Sequence, residues 1–285
     1  MSVRVGVVIS SFNQGLMIEE AVTSVLAQTL LPVHVVVVDD GSTDVSSLEV
    51  LAHLEGQGVR VLRQSNQGVS AVRNAGIKSI DAELVAILDG DDRFRRTFLE
   101  STVAEFDDPE VMAASSWLEM FAVGTGVVRP VGGRIVDFLS RNACPAPVVV
   151  RRSAWERAGG YAEDMREGFE DWEFFLRLLT PGGRIQIVPE ALIEYRTQLG
   201  SANLEGMTRR LRLYGDIIDR HSAVFAANVK AALLAQEATS MNRLSRWEGL
   251  LMADGSLDAG AASFGDGGMA AAVRIAASRD ESLAH

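Results

Sequence analysis

VVVVDDGSTD, residues 35–44, is the stretch of sequence that decides the fold. The valine run that begins at Val33 has the pattern of a buried strand, and the acidic and hydroxyl residues after it are typical of a turn that caps a following helix. Similar patterns lie on both sides of this stretch. The sequence therefore predicts strands that alternate with helices, which is typical of a mostly parallel sheet covered on both faces.

The first hundred residues repeat this alternation. The predicted strands are 4–10, 33–38, 59–62 and 84–88, and the predicted helices cover residues 18–26, 44–54 and 69–80. Beyond residue 105 the pattern is looser, with strands expected at 111–121, 147–150 and 184–188 and helices at 153–158 and 170–179. We therefore expect an α/β domain in which ligands bind beyond the carboxyl ends of the strands.

The chain after residue 201 has helical patterns. Met207, Leu211, Tyr214 and Ile218 are expected to form one apolar stripe, and residues 225–234 a second helix. Residues 254–268 are rich in Gly, Ala, Ser and Asp and indicate a flexible connector before an Ala-rich helix. The exposed stripes of this tail are compatible with a homodimer.

Composition excludes several classes of function. The formal net charge of -11 and the isoelectric point near 4.9 argue against general binding to nucleic acid or anionic lipid, because both need a positive field. No apolar run reaches the length of a membrane span, and no secretory signal is present at the start, so the cytoplasm is the expected location. The four histidines lack ligand spacing, which disfavours zinc, and Cys144 is expected to be a buried small hydrophobic residue.

Three groups of arginines interrupt the acidic sequence. They are Arg93, Arg95 and Arg96, then Arg151, Arg152 and Arg157, then Arg209, Arg210 and Arg212. Most such groups are solvated faces or partners for carboxylates of the same chain, and that interpretation is favoured. Guidance of a phosphorylated ligand or a lipid headgroup by one of them is left open.

Polar and acidic residues follow three of the predicted strands. They occupy residues 10–13, 39–44 and 89–92, and parallel strands would gather them at one edge of the sheet. Each group alone also fits a turn that caps a helix. Three carboxylates within residues 89–92 repel one another unless a cation, water or hydroxyl groups relieve the repulsion, and Mg²⁺ or Mn²⁺ suits such oxygen ligands.

The successive motifs resemble those of family 2 glycosyltransferases with the GT-A fold. The strings VVISSFNQ, VVVVDDGSTD, NQGVSAVRNAGI, LVAILDGDD and GFEDWEFFLRL appear in the expected order over residues 2–201. The resemblance implies a GT-A-like, mostly parallel but mixed sheet with a C-terminal helical extension. It also implies a nucleotide-sugar-binding half at residues 1–105, an acceptor-side half of the same domain at 106–201, and a helical extension with a flexible tail at 202–285.

The resemblance assigns residues to the nucleotide. Ser10 and Phe12 would lie at the nucleobase, with Phe12 at a position where the family more often has tyrosine. Asp40 would accept a hydrogen bond from a uracil ring, and Arg73 would lie beside the base or the diphosphate. The alternative interpretations are a turn residue for Asp40 and a helix-face charge for Arg73.

The resemblance also places a divalent cation, Mn²⁺ or Mg²⁺, at the Asp-X-Asp signature. Asp89 would approach the ribose and contribute to the metal site, and Asp91 would hold the metal that bridges the diphosphate, with Asp92 in support. Where the family often has Tyr-Arg-X-His, this chain has Gln198 in place of the histidine. Gln198 cannot ligate a metal as an imidazole can, and Arg196 is a candidate phosphate contact.

The Glu170-Asp171 pair resembles the acidic catalytic motif of the family at the start of a helix. Asp171 would be the general base, because an acceptor hydroxyl is a poor nucleophile until a carboxylate takes its proton. The alternative is a pair of first-turn acids favoured by the helix dipole.

The expected reaction is therefore an inverting transfer of a sugar from a nucleoside-diphosphate sugar, with UDP as the expected nucleotide. The sequence leaves the donor sugar open, and it leaves the acceptor open among a glycan, a lipid-linked sugar and a small molecule. A catalytically silent sugar-nucleotide-binding protein is one alternative. A sugar-1-phosphate nucleotidyltransferase or a dehydrogenase is disfavoured, because the loop after the first strand lacks the glycine-rich motif that each needs.

Overall fold

The computed structural model describes residues 3–198, 206–252 and 263–279. The first part alternates as expected, with β1 (Val5–Ser11), α1 (Met17–Leu26), β2 (His34–Asp39), α2 (Val45–Gly56), β3 (Arg60–Arg63), α3 (Val69–Ser79) and β4 (Leu84–Asp89). A short strand, β5 (Arg93–Phe94), and α4 (Phe98–Ala104) complete it.

The second part contains the longest strands. They are β6 (Val111–Ala122), β7 (Gly126–Val128), β8 (Val148–Arg151) and β9 (Arg184–Thr197), with α5 (Arg152–Ala158) and α6 (Glu170–Leu179) between the last two. The C-terminal helices are α7 (Arg210–Arg220), α8 (Ser222–Ala227), α9 (Val229–Met252) and α10 (Gly268–Arg279).

The described strands form one mixed sheet of nine strands in the order β3-β2-β1-β4-β8-β6-β9-β5, with β7 paired to β6. The pairs β1–β2, β1–β4 and β2–β3 are parallel, and so is β6–β9. Strand β8 is antiparallel to both β4 and β6, so the carboxyl ends of β1, β2, β4, β6 and β9 all lie at the same edge. This confirms the predicted mostly parallel, mixed α/β sheet. With β3, which is parallel to β2, six strand ends lie at the edge where ligands bind in sheets of this kind.

Helices cover both faces of the sheet, as predicted. Side chains of α1, α2 and α4 pack with one set of β1 residues, including Val7 and Ile9. Side chains of α3, α5 and α6 pack on the opposite face, where Val8 points. Alternate residues of β1 therefore supply both cores, which explains why residues 5–9 have no polar side chain. Cys144 is buried in the second core, as expected for a small hydrophobic residue.

Strand β9 is longer than the sequence predicts. The predicted strand ended at residue 188, and the next residue, Pro189, lacks an N–H for the ladder. In the structure Ser116 pairs with Val188, and the next residue of β6 pairs with Ala191, so Pro189 lies in a bulge. The strand then continues to Thr197 and reaches the edge of the sheet where the site lies.

The apolar stripe expected in the tail is partly wrong. In α7 the buried side chains are Leu213 and Ile217, whereas Leu211 is largely exposed. The core-facing stripe is therefore shifted from the predicted one. The final Ala-rich helix is present as α10, and residues 254–262 of the predicted connector lie outside the described residues.

Candidate active site

The loops after β1, β2 and β4 meet at one edge of the sheet. The strand register places Ser10 beside Asp89 and Ser11 beside Asp39. The Ser10 hydroxyl donates to Asp89 Oδ1 at 2.9 Å, so the contact between the first and fourth strand ends is made by side chains as well. The convergence predicted from the sequence is therefore present.

Asn13 joins the first loop to the second. Its Oδ1 accepts a hydrogen bond from the Thr43 N–H at 2.8 Å, and its own N–H donates to Ser42 Oγ at 2.9 Å. Ser42 Oγ donates in turn to the Asp39 carboxylate at 2.5 Å. Sequence reasoning assigned no role to Asn13 or Asp39, and both act by holding the loops in place.

Asp40 is buried and fastens the start of α3. Its carboxylate accepts from Gln64 Nε2 at 2.7 Å, from the Gln67 N–H at 2.9 Å and from the Gly68 N–H at 2.8 Å. A carboxylate has about four acceptor positions, so these three bonds leave about one for a ligand. The structure therefore places Asp40 at the expected edge and shows that it positions the helix that carries Arg73.

Arg73 connects the two acidic regions that the sequence singled out. Its guanidinium donates to Asp89 Oδ1 at 3.0 Å and to Glu170 Oε1 at 2.9 Å, and the side chain is only 2% exposed. Although burial opposes the charge of Arg73, the carboxylates of Asp89 and Glu170 raise its pKa, so it stays a cation. The end of β4 and the start of α6 are thereby held together.

The acidic loop after β4 is tightly constrained. A Cβ added at Gly90 would overlap Gln14 Oε1 and the Ser10 carbonyl oxygen, so a residue with a side chain does not fit between Asp89 and Asp91. Burial and the nearby charge of Asp89 raise the pKa of Asp91 to about 6. The loop therefore concentrates negative charge in a place with little access to water.

Asp91 and Asp92 are the residues of this loop that could hold a divalent cation. Asp91 accepts only a long contact from Gln14 at 3.5 Å, and the buried Asp92 Oδ2 has no hydrogen-bond partner among the described residues. Within that part of the chain, no three side chains of His, Cys, Asp or Glu are placed to hold one ion. The arrangement suits a hard cation held by one or two carboxylates and completed by substrate phosphates and water.

Arg196 lies at the end of β9, beside the acidic loop. Its Nε donates to the Asp91 carbonyl at 3.0 Å, its backbone N–H donates to Asp92 Oδ1 at 2.8 Å, and its Nη2 pairs with Glu20 at 2.6 Å. The expected phosphate contact is therefore near the loop, but its guanidinium is already paired with Glu20.

Asp171 is in the first turn of α6, next to Glu170. Asn142 Nδ2 donates to Asp171 Oδ2 at 2.8 Å, and the Trp172 N–H lies 2.7 Å from Oδ1. Burial, followed by the negative charge of Glu170, raises the pKa of Asp171 to about 7. Its carboxylate is therefore poised to accept and release a proton near neutral pH.

Asp171 opens into a cavity of about 230 Å³. Arg73, Asp89 and Glu170 also line this cavity, whereas Ser10, Phe12, Asp40 and Asp91 do not. Phe12 is 44% exposed at the end of β1, with an accessible ring. The predicted residues thus form two groups, one that lines the cavity around Asp171 and one at the neighbouring edge of the sheet. Asp89 and Arg73 connect the two groups.

Sequence reasoning missed two polar residues that line the cavity, Asn142 and Arg210. Asn142 has no motif around it, and only its contact with Asp171 reveals it. Arg210 belongs to the third arginine group, where Arg209 and Arg212 both pair with Glu167 as intrachain partners. Arg210 instead lines the cavity, and no feature of the sequence distinguishes it from its neighbours.

A mixed sheet of this order, with acidic loops at its carboxyl edge, has the GT-A fold. The profile of glycosyl transferase family 2 matches residues 6–142. Residues 6–142 of the chain are therefore similar to glycosyl transferase family 2.

Curated relatives agree with this assignment. The chain is 35% identical over 120 residues to an uncharacterised glycosyltransferase of Nostoc sp., covering 41% of this chain and 37% of the relative. It is 32% identical over 192 residues to a pre-mycofactocin glycosyltransferase of Mycobacterium tuberculosis, covering 61% and 40%. It is 22% identical over 260 residues to an uncharacterised glycosyltransferase of Bacillus subtilis, covering 86% and 96%. The chain thus spans less than half the length of the first two.

Solved structures share the fold. The crystal structure of S. aureus TarS 1-349 in complex with UDP-GlcNAc superposes with a TM-score of 0.60 at 19% identity, covering 75% of this chain and 66% of that chain. The complex of the same protein with UDP gives a TM-score of 0.59 at 21% identity, covering 75% and 65%. No helix in residues 3–198, 206–252 and 263–279 is both long enough and apolar enough to cross a membrane.

Proposed function

We propose that this protein is an inverting glycosyltransferase that moves a sugar from a UDP-sugar to an acceptor hydroxyl, with Asp171 as general base. The observation that carries the proposal is the pair of bonds from Arg73 to Asp89 and to Glu170. These bonds hold the acidic loop after β4 and the acidic start of α6 around one cavity.

The sheet edge would bind the donor. Phe12 offers an exposed ring for the base, and Ser10 and Asp89 form a hydroxyl–carboxylate pair that suits a ribose. Asp40 has about one acceptor position left for a base N–H. The binding of UDP and UDP-GlcNAc by TarS, a protein of the same fold, supports UDP as the nucleotide.

The acidic loop would hold Mn²⁺ or Mg²⁺ through Asp91, with Asp89 nearby. Such a cation supplies charge stabilisation to the departing diphosphate. Asp89 already accepts bonds from Ser10 and Arg73, so Asp91 is the better ligand of the two. Arg196 would reach a phosphate only by exchanging its pairing with Glu20.

Asp171 would remove the proton of the acceptor hydroxyl as that oxygen attacks the anomeric carbon. A single displacement of this kind inverts the configuration, since no enzyme carboxylate bonds to the sugar first.

Under this proposal, residues 1–105 form the donor half, residues 106–201 form the acceptor half, and residues 202–285 are an extension. The largely exposed Leu233, Met241 and Leu244 of α9 support a further proposal that two copies associate through this extension.

The test is release of UDP from a panel of UDP-sugars, with water or added alcohols as acceptors and with Mn²⁺ or EDTA present. We expect Mn²⁺-dependent UDP release by the wild type. Asp171→Asn should keep UDP affinity and lose about two to four orders of magnitude in rate, the usual size of a general-base effect. A wild type that binds UDP without releasing it from any donor would support the silent binding protein instead.

A further inference from the structure

A second and larger pocket lies beside the cavity that contains Asp171. It has a volume of about 520 Å³ and lies between β7 with its following loop, α9 and residues 263–266. Phe264 lines both pockets. Asn142 contacts Asp171, and the preceding residue, Arg141, lines the larger pocket. The two pockets are therefore neighbours.

The larger pocket is basic. Arg129, Arg141 and Arg243 line it, and Asp266 is the one carboxylate among the lining residues that the structure describes. The wall therefore has a formal surplus of two positive charges, in a chain whose net charge is -11. The net negative charge of the chain repels an anion, whereas the positive wall of this pocket attracts one.

Two of these arginines have no acidic partner in the part of the chain that the structure describes. No carboxylate in residues 3–198, 206–252 and 263–279 lies within 4.0 Å of the guanidinium of Arg129 or Arg141. Arg129 packs over the Trp117 ring at 5.1 Å, which fixes its direction without neutralising it. Arg243 is the exception, with its Nε 3.7 Å from Asp266.

The positive charge continues toward Asp171. Arg210 lines the catalytic cavity, donates to the Gly265 carbonyl at 2.9 Å and lies 5.8 Å from the centre of the Trp172 ring. Burial, together with the positive charge of Arg243, lowers the pKa of Arg210. The arginines of the two pockets are therefore close enough to interact.

We propose that the larger pocket binds a phosphate group of the acceptor, so that the hydroxyl glycosylated at Asp171 belongs to a phosphate-bearing molecule. Guanidinium groups pair with phosphate through two hydrogen bonds at once, and a phosphate monoester has close to two negative charges to match the surplus in the wall. The assignment to the acceptor rests on the proposed glycosyltransferase function, because it is Asp171 that makes the neighbouring cavity the place of transfer.

The test measures binding of sn-glycerol 3-phosphate by titration calorimetry, with glycerol as the uncharged control. Arg129→Gln/Arg141→Gln should weaken the affinity for the phosphate probe by at least about tenfold, since each lost bond to a charged group is worth that much. The matched control is Arg4→Gln/Arg60→Gln, which removes the same charge at the amino ends of β1 and β3.

The control should change the affinity less than about twofold, because neither arginine lines the pocket and salt screens exposed charges that do not contact the ligand. Absence of binding by the wild type, or equal weakening in both double variants, would overturn the pocket assignment. A thermal unfolding curve for each variant identifies any loss of folding.

Binding of UDP in the presence of Mn²⁺ distinguishes the two proposals. If the wild type binds UDP but not the phosphate probe, the pocket assignment fails and the donor site stands. If it binds the probe but not UDP, the proposed function fails and with it the assignment of the phosphate to an acceptor.

A phosphate group could belong to a soluble polymer or to a lipid. Poly(glycerol phosphate) and vesicles of phosphatidylcholine with phosphatidic acid serve as competitors, and plain phosphatidylcholine vesicles as the control. Displacement of the probe by the polymer or by the acidic vesicles supports the proposal and identifies the source. Failure of both to displace it would overturn the acceptor assignment.

Discussion

Asp171 is a carboxylate whose surroundings oppose its charge. Burial and the adjacent Glu170 favour the protonated form, whereas Arg73 and the Asn142 amide favour the ionised form. The balance leaves the pKa of Asp171 at about 7. Glu170 is bonded to Arg73, so it is less available than Asp171 for proton transfer.

The raised pKa gives the reaction a predicted pH dependence. A general base acts in its ionised form, so kcat/KM for donor hydrolysis should fall about tenfold per pH unit below about pH 7 and level off above it. The measurement is UDP release between pH 5 and pH 9, at about one-unit steps. A rate that stays constant down to pH 5 would rule out Asp171 as the base.

Asn142 should act on the reaction through Asp171. Its amide favours the ionised carboxylate, so Asn142→Ala should raise the pKa of Asp171 and move the acidic limb of the pH profile to higher pH. Asn228→Ala, the same substitution at the end of α8, serves as the control. An unchanged limb in Asn142→Ala would show that the amide has no positioning role.

At the scale of elements, the loop between β4 and β5 depends on the absence of a side chain at Gly90. Gly90→Ala places a methyl group against the Ser10 carbonyl, which belongs to β1 and cannot move aside. We expect weaker UDP binding and a loss of about 1–3 kcal/mol in the free energy of unfolding. Gly56→Ala at the end of α2, where nothing lies within 4 Å, should not destabilise the protein. Chemical denaturation and calorimetry measure both effects.

The sequence predicted the elements that have regular patterns. The strands and helices up to residue 89 matched closely, since each has a clear periodicity and a polar turn after it, whereas β5 and α4 were not predicted. The bulge at Pro189 and the orientation of α7 were missed, because both depend on packing against distant residues. Asn142 and Arg210 were missed for the same reason: their contacts join segments far apart in the chain.

At the scale of the whole molecule, the C-terminal segment completes the cavity that contains Asp171. Residues 264–270 supply part of its wall, and Met269 and Val273 of α10 are buried. Gly265 packs so closely on the Asn142 backbone that a Cβ would overlap its carbonyl oxygen. The extension therefore lies against the residue that contacts Asp171, rather than apart from the domain.

The stereochemistry of donor hydrolysis tests the central claim most directly, because water can replace the unknown acceptor. Proton NMR would follow the anomer first released from an α-linked UDP-sugar in the presence of Mn²⁺. We predict that the β anomer appears first and that Asp171→Asn slows its release by about two to four orders of magnitude. Initial release of the α anomer, or hydrolysis unaffected by Asp171→Asn, would contradict single displacement with Asp171 as the base.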